Sequence, residues 1–172
     1  QERIDALTEA LGGDQDRTIL TICPHCRDTI QTQYRALGAD FSNVRLHTPY
    51  LAHLVRTGRL ELEAKPLTAA LHTPCKVIHN AEDGEMRGLL EGAGVTLQSP
   101  ERSSAGFPTT CCGGGGGGFL WDSPAKVNQK RWEQIEAVGL EDVVTGCPGC
   151  HRMLGVMKTE KARISDVSTV LL

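Results

Sequence analysis

A chain of 172 residues with 40% hydrophobic residues can bury a full core without disulfide staples. A net charge of −3 and 4% aromatic residues argue against nucleic-acid binding, which needs a basic footprint or stacking platforms. No run approaches the ~18 apolar residues of a membrane span, and the N-terminus lacks the apolar core of a secretory signal. A cytoplasmic protein is expected, or one at the cytoplasmic face that meets the membrane only through a partner or a missing segment.

Ile4, Leu7 and Leu11 recur at helical spacing over 2–11, and Gly12-Gly13 stops the pattern. The β-branched run 18–22 reads as a buried strand ending at Cys23, and Pro24 suits the first position of a helix reaching about Gly38. Residues 43–47 read as a second strand, after which Thr48-Pro49 caps a helix carrying Leu51, Leu54 and Val55 to Gly58. A third strand over 66–72 runs into Cys75, followed by a helix near 83–92 and a strand over 95–99. Residues 99–108 read as a loop, which Cys111-Cys112 and six glycines extend. Ser123-Pro124 opens a helix with Trp132, Ile135 and Val138 on one face, closed at Gly139. Residues 141–146 form a strand leading into Cys147-Pro148-Gly149-Cys150 and a short helix to about Lys158, with a last strand near 162–167. This alternation predicts an α/β fold: a Rossmann-like, mainly parallel sheet flanked by helices, with ligands at the C-terminal strand ends.

The order strand, Cys-Pro-x-Cys, helix occurs at 18–31 and again at 141–154, each time followed by a further strand and a Thr- or Ser-led apolar segment. Residues 1–65 are therefore expected to be the truncated tail of a first unit, and 66–172 a complete second one.

Seven cysteines, two adjacent and four in CxxC pairs, fit a disulfide framework poorly and metal or redox chemistry well. In each CxxC the first thiol falls near a helix N-cap, where unpaired N–H groups stabilise the thiolates that soft metals and iron–sulfur clusters require. Cys75, Cys111-Cys112 and Cys147/Cys150 all follow strands or the loops after them, so a parallel sheet can gather them at one edge. Five thiols exceed the needs of a cubane cluster or a zinc ion. Adjacent side chains on extended backbone point apart, an arrangement that suits two different irons of one cluster better than one ion.

Cys75, thirty-five residues, Cys111-Cys112, thirty-four residues, then CPGC, together with HTPC, CCGGGGGGFLW and the upstream CPHC and LHTPYLAHLVRTGRLEL, resembles a known family. It is similar to the cysteine-rich CCG domain of heterodisulfide reductase B and D subunits. The iron–sulfur subunits of glycolate oxidase and anaerobic glycerol-3-phosphate dehydrogenase are related. The resemblance implies a noncubane 4Fe-4S-type cluster on Cys75, Cys111, Cys112, Cys147 and Cys150. It also implies an electron-transfer subunit or domain linking a flavoprotein or iron–sulfur partner of a larger complex to a quinone or a disulfide. The alternatives are direct reduction of a disulfide and a zinc-stabilised interaction module without redox chemistry, zinc being the less favoured cofactor. The stretch Lys76-Val77-Ile78-His79 and Gly149 depart from the family pattern and leave the substrate open.

The glycine run, Gly113 and Gly114 first, is expected to let backbone approach the cluster and point N–H groups at sulfur. A flexible linker or a nucleotide loop fits a run led by two cysteines less well. Cys23 and Cys26 would serve the missing unit's cluster; alone they read as free thiols or an adventitious zinc site. A zinc site shared with Cys147 and Cys150 is disfavoured by sequence separation. His72 and His79 flank Cys75 as candidate proton donors, although a hydrogen-bonded structural role is the commoner one. His25 and His151 read as exposed or peripheral to the ligands, Phe119 and Trp121 as a cover or as plain core, and Glu82-Asp83 as helix N-terminal charge.

Overall fold

The computed structural model describes residues 1–14, 16–100, 111–115 and 126–171. Helix α1 (Glu2–Leu11) stops at Gly12, whose φ of 60° lets its N–H close onto Glu9. Strand β1 (Ile19–Thr21) delivers the chain to α2 (Pro24–Thr29), which runs on as a π-helical turn (Ile30–Tyr34). Strand β2 (Val44–Leu46) pairs in parallel with β1, Ile19 opposite Val44. Ile4, Leu11 and Phe41 form the small core beneath this pair, where Tyr34 meets Phe41 edge-on at 6.3 Å.

Helix α3 (His47–Arg56) starts one residue before the expected Thr48 cap. The Thr48 hydroxyl is buried and caps nothing; Leu46 holds the cap position. Strand β3 (Leu67–His72) then leads into a short helix, α4 (Cys75–His79), which the sequence pattern did not announce because its five residues span barely one turn. Next come α5 (Asp83–Gly92), β4 (Val95–Gln98), α6 (Val127–Glu136), β5 (Asp142–Thr145), α7 (Pro148–Gly155), β6 (Arg163–Asp166) and α8 (Val167–Leu171). The expected loop over 101–108 and the helix opening at Ser123-Pro124 lie outside the described residues.

All strand pairs among the described residues are parallel, but they form two sheets: β1-β2, and β4-β3-β5-β6. Period-two alternation decides what each face of the larger sheet buries. Ala69 and Leu71 of β3 and Val144 of β5 pack with Met86 and Leu90 of α5 and Val167 and Val170 of α8. Ala70 and Val143 face the other way, toward Trp132 and Ile135 of α6 and Leu154 of α7. By the same parity His72 lies on the α6–α7 face.

The chain adds β4 on one side of β3 and then returns to add β5 on the other, so the connections diverge between β3 and β5. In open α/β sheets the crevice at such a switch point is where ligands bind. His72 and Thr145 are register partners, so both strands end level and Cys75 and Cys147 leave the sheet at the same edge.

The two-stranded part is clamped to this edge by charge. Arg27 of α2 makes a two-pronged pair with Glu82, at 2.5 and 2.8 Å, and Lys76 of α4 bonds Asp28 at 2.6 Å. Glu82 is thus an ion-pair partner as well as the cap residue of α5. No helix among the described residues is long and apolar enough to cross a membrane.

Candidate functional site

Each CxxC opens a helix, with its first cysteine at the cap and a proline behind it. Cys23 caps α2 with extended backbone (φ −109°, ψ 114°), Pro24 opens the helix, and the Cys23 sulfur accepts the Cys26 N–H at 3.4 Å. Cys147 caps α7 with Pro148 behind it, and Cys150 lies within the first turn, buried. Proline costs nothing there because its missing N–H would have had no helical partner.

The thiols of Cys75, Cys111, Cys112, Cys147 and Cys150 are linked to one another. Cys112 and Cys150 touch at 3.2 Å, sulfur to sulfur. Cys111 is held well below the ordinary thiol range by hydrogen bonds from Cys112 and Cys75 and by the N–H groups of Gly113 and Gly115, against the opposing effect of burial. Cys147 is likewise lowered by hydrogen bonds from Cys150 and Cys23. The Cys111 thiolate raises Cys75 and also Cys112, the latter to about 11, the Cys147 thiolate raises Cys23, and Cys150 is raised by its hydrogen bonds with Cys112 and then Cys147. The site is two thiolate-centred triplets, Cys75–Cys111–Cys112 and Cys23–Cys147–Cys150, joined at the Cys112–Cys150 contact.

This arrangement corrects two expectations. Cys111 and Cys112 do not point fully apart: a hydrogen bond from Cys112 is the largest cause that lowers the Cys111 thiol. Cys23, remote in sequence, reaches Cys147, so sequence separation does not keep the two CxxC pairs apart in space. The exposed Cys26 follows at the outer end.

The described glycines of the run are held for three different reasons. Gly113 adopts a left-handed conformation and its N–H meets the Cys111 sulfur at 3.3 Å. At Gly114 a Cβ would lie 3.0 Å from Met153 and 3.5 Å from the Cys112 sulfur, and its N–H lowers the Cys112 thiol. At Gly115 a Cβ would collide with His25 Nε2 at 2.8 Å. Gly113→Ala is therefore expected to cost about 1–2 kcal/mol, the strain of a left-handed L-residue. Gly115→Ala meets only the end of a rotatable side chain and is expected to stay within about 0.5 kcal/mol of wild type while displacing His25. Thermal unfolding of both variants, with the His25 ring resonances in the second, checks the contrast.

Histidines surround the thiols unevenly. His25, read from sequence as peripheral, stands inside the site: 4.0 Å from the Cys75 sulfur and hydrogen-bonded to Cys147, which raises its pKa. His72 is 1% exposed and sits with Cys112 and Cys150, their ligand atoms within 4.8 Å of one another. Burial, then Arg131, pushes its pKa down to about 3, which keeps it neutral. Arg131 of α6, itself buried, donates from Nε to His72 Nδ1 at 3.0 Å. Desolvation lowers this guanidinium to about 10, and Cys150 and Cys112 oppose the fall, so it remains a cation beside the sulfurs at neutral pH. Arg131 was missed in the sequence; a lone arginine on a helix of polar residues carries no signal of its fold neighbours. His79 is exposed, with no side-chain hydrogen bond among the described residues, and His151 is exposed and bonded to the Ile164 carbonyl. Phe119, Trp121 and the glycines from Gly116 to Gly118 lie outside the described residues.

A family model for a cysteine-rich domain, CCG, matches residues 69–155, about half of the chain. That stretch holds Cys75, Cys111, Cys112, Cys147 and Cys150 and excludes Cys23 and Cys26. Among curated proteins, the chain is 32% identical over 169 residues to a "Probable membrane-anchored ferredoxin" of Chromohalobacter salexigens, covering 90% of the chain and 24% of the relative. It is 34% identical over 160 residues to the "Probable iron-sulfur-binding oxidoreductase FadF" of Bacillus subtilis, covering 89% of the chain and 22% of the relative. The chain thus spans less than a quarter of the length of these relatives. No solved structure matches it. The match across the switch-point strands and their thiols assigns the chain to the CCG cysteine-rich domain family.

Proposed function

We propose that this chain is the iron–sulfur-binding part of an oxidoreductase, holding a noncubane 4Fe-4S-type cluster on Cys75, Cys111, Cys112, Cys147 and Cys150. The observation that carries the reading is the gathering of these five thiols at one sheet edge, with two of them favoured as thiolates. The donor set fits such a group. Soft anionic sulfur is what iron–sulfur clusters bind, and the glycine N–H groups and the buried Arg131 supply the positive surroundings that stabilise added negative charge. When bound, the cluster supplies one-electron chemistry.

The protein's own part is to position and insulate. Gly113 and Gly115 direct N–H groups at Cys111, burial of Cys112 and Cys150 excludes water from one side, and the half-buried Cys75 leaves the other side open to a partner. Electron relay between a flavoprotein or iron–sulfur subunit and a quinone is the favoured role, supported by relatives whose names describe a ferredoxin and an iron–sulfur-binding oxidoreductase. Residues 66–172 are then a complete unit and 1–65 the tail of a preceding one. Cys23 and Cys26 would belong to that unit's own centre, adjoining this one through the contact of Cys23 with Cys147.

Anaerobic reconstitution with iron and sulfide, followed by metal and acid-labile sulfide analysis, tests the proposal. A coloured protein with about four irons and sulfide to match is expected. A colourless protein that takes up zinc alone would replace this reading with the interaction module. Turnover of a disulfide under a reduced dye would move the role from relay to disulfide reduction.

A further inference from the structure

His72, Cys112 and Cys150 lie close enough to hold a metal ion together, and all three are buried. Whether the histidine is a ligand is decided by its other neighbour. A histidine that binds a metal through one nitrogen carries a proton on the other and donates it, usually to a carboxylate or a carbonyl. Here the opposite holds: Nδ1 accepts a hydrogen bond from the Arg131 guanidinium at 3.0 Å. A nitrogen that accepts has no proton, so the neutral ring carries its hydrogen on Nε2. Nδ1 is occupied by Arg131, and Nε2, bearing hydrogen, has no lone pair for a metal. Nε2 is also buried without a hydrogen-bond partner among the described residues. A donor left in that state costs free energy unless something accepts from it.

We propose that Arg131 fixes His72 as the Nε2–H tautomer, making it an N–H donor to the sulfur-bound group at Cys112 and Cys150 and not one of its ligands. Arg131 is then a positioning residue, acting on the site through the imidazole. The proposal rests on the iron–sulfur reading for the identity of that group, but its tautomer does not. Donation to sulfur stabilises the more negative, reduced state.

The test has two independent arms. In the cluster-free wild-type protein, long-range nitrogen–proton correlation NMR should show His72 with Nε2 protonated and Nδ1 bare, and Arg131→Met should release the ring to a mixture of tautomers. A ring protonated at Nδ1 in the wild type would overturn the proposal. In the reconstituted protein, His72→Leu should keep the iron and sulfide content of the wild type while weakening reduction roughly tenfold, about 59 mV in midpoint for one electron. His72→Gln, which restores an N–H near the position of Nε2, should recover most of that loss. Loss of iron in His72→Leu would make His72 a ligand, and an unchanged midpoint would make it purely structural; either result overturns the proposal. A wild-type chain that takes up no iron or sulfide would sink the iron–sulfur reading, and the NMR arm would then decide the tautomer by itself.

Discussion

Cys112→Ser is expected to abolish assembly of the iron–sulfur centre, with iron and acid-labile sulfide falling more than tenfold under conditions that load the wild type. Cys112 is 4% exposed and stands at the junction of the two thiolate-centred triplets, in contact with Cys150. Serine keeps the shape of the side chain but replaces a soft, ionisable sulfur with a hard hydroxyl that stays protonated. The loss should therefore appear in metal content before it appears in the fold. The buried hydroxyl costs about 1–3 kcal/mol at most, and circular dichroism of the variant should remain that of the wild type. Cys26→Ser is the contrasting variant: Cys26 is exposed and outside both triplets, so iron and sulfide should stay at the wild-type level. Equal loss in the two variants, or full loading of Cys112→Ser, would show that the centre is not where the thiols converge.

Arg27→Ala is expected to destabilise the protein by about 3 kcal/mol, since removing one partner of a buried pair strands the other charge. The side chains of Arg27 and Glu82 are only 9% and 19% exposed and meet in two short contacts, so water cannot replace the guanidinium well. For a chain of this size the loss corresponds to a fall in melting temperature of about 6–12 °C. The double variant Arg27→Met with Glu82→Leu should recover much of it, because hydrophobic replacement of both buried partners is often neutral. Lys76→Ala, by contrast, breaks a pair whose side chains are 35% and 26% exposed and should cost about 1 kcal/mol or less. Thermal unfolding of the three variants tests the ranking. Because Arg27 anchors the helix that presents Cys23 and His25, its loss should also uncouple those residues from Cys147, visible as faster alkylation of Cys23.

Much of the architecture was legible from local pattern. The strand over 66–72 and the helix over 83–92 showed themselves by apolar spacing and by glycine at their ends, and both stand within a residue of the observed elements. Cys-Pro-x-Cys announced its own geometry, because a cap, a proline and a third residue all lie within one turn. Helix α4 was not legible, since five residues carry no period. The Thr48 cap was misplaced by two residues because Leu46, which offers no capping side chain, holds the position instead. At the site, spacing and family resemblance drew attention to Cys75, Cys111, Cys112, Cys147 and Cys150 as a group. The roles of His25 and Arg131 were not, because His25 lies 50 positions from Cys75 and Arg131 lies 59 positions from His72.

Residue order by itself determined the strands, the two cysteine-bearing helix starts and the glycines after Cys112, since each depends on backbone preferences that act over a few neighbouring residues. Only the tertiary structure decided that β3 and β5 end level, that Cys23 bonds Cys147, and that a guanidinium donates to His72 Nδ1. Those facts depend on parallel pairing, on the buried Arg27–Glu82 contact and on packing between helices distant in the chain, where the free energy belongs to pairs of surfaces and to no single segment.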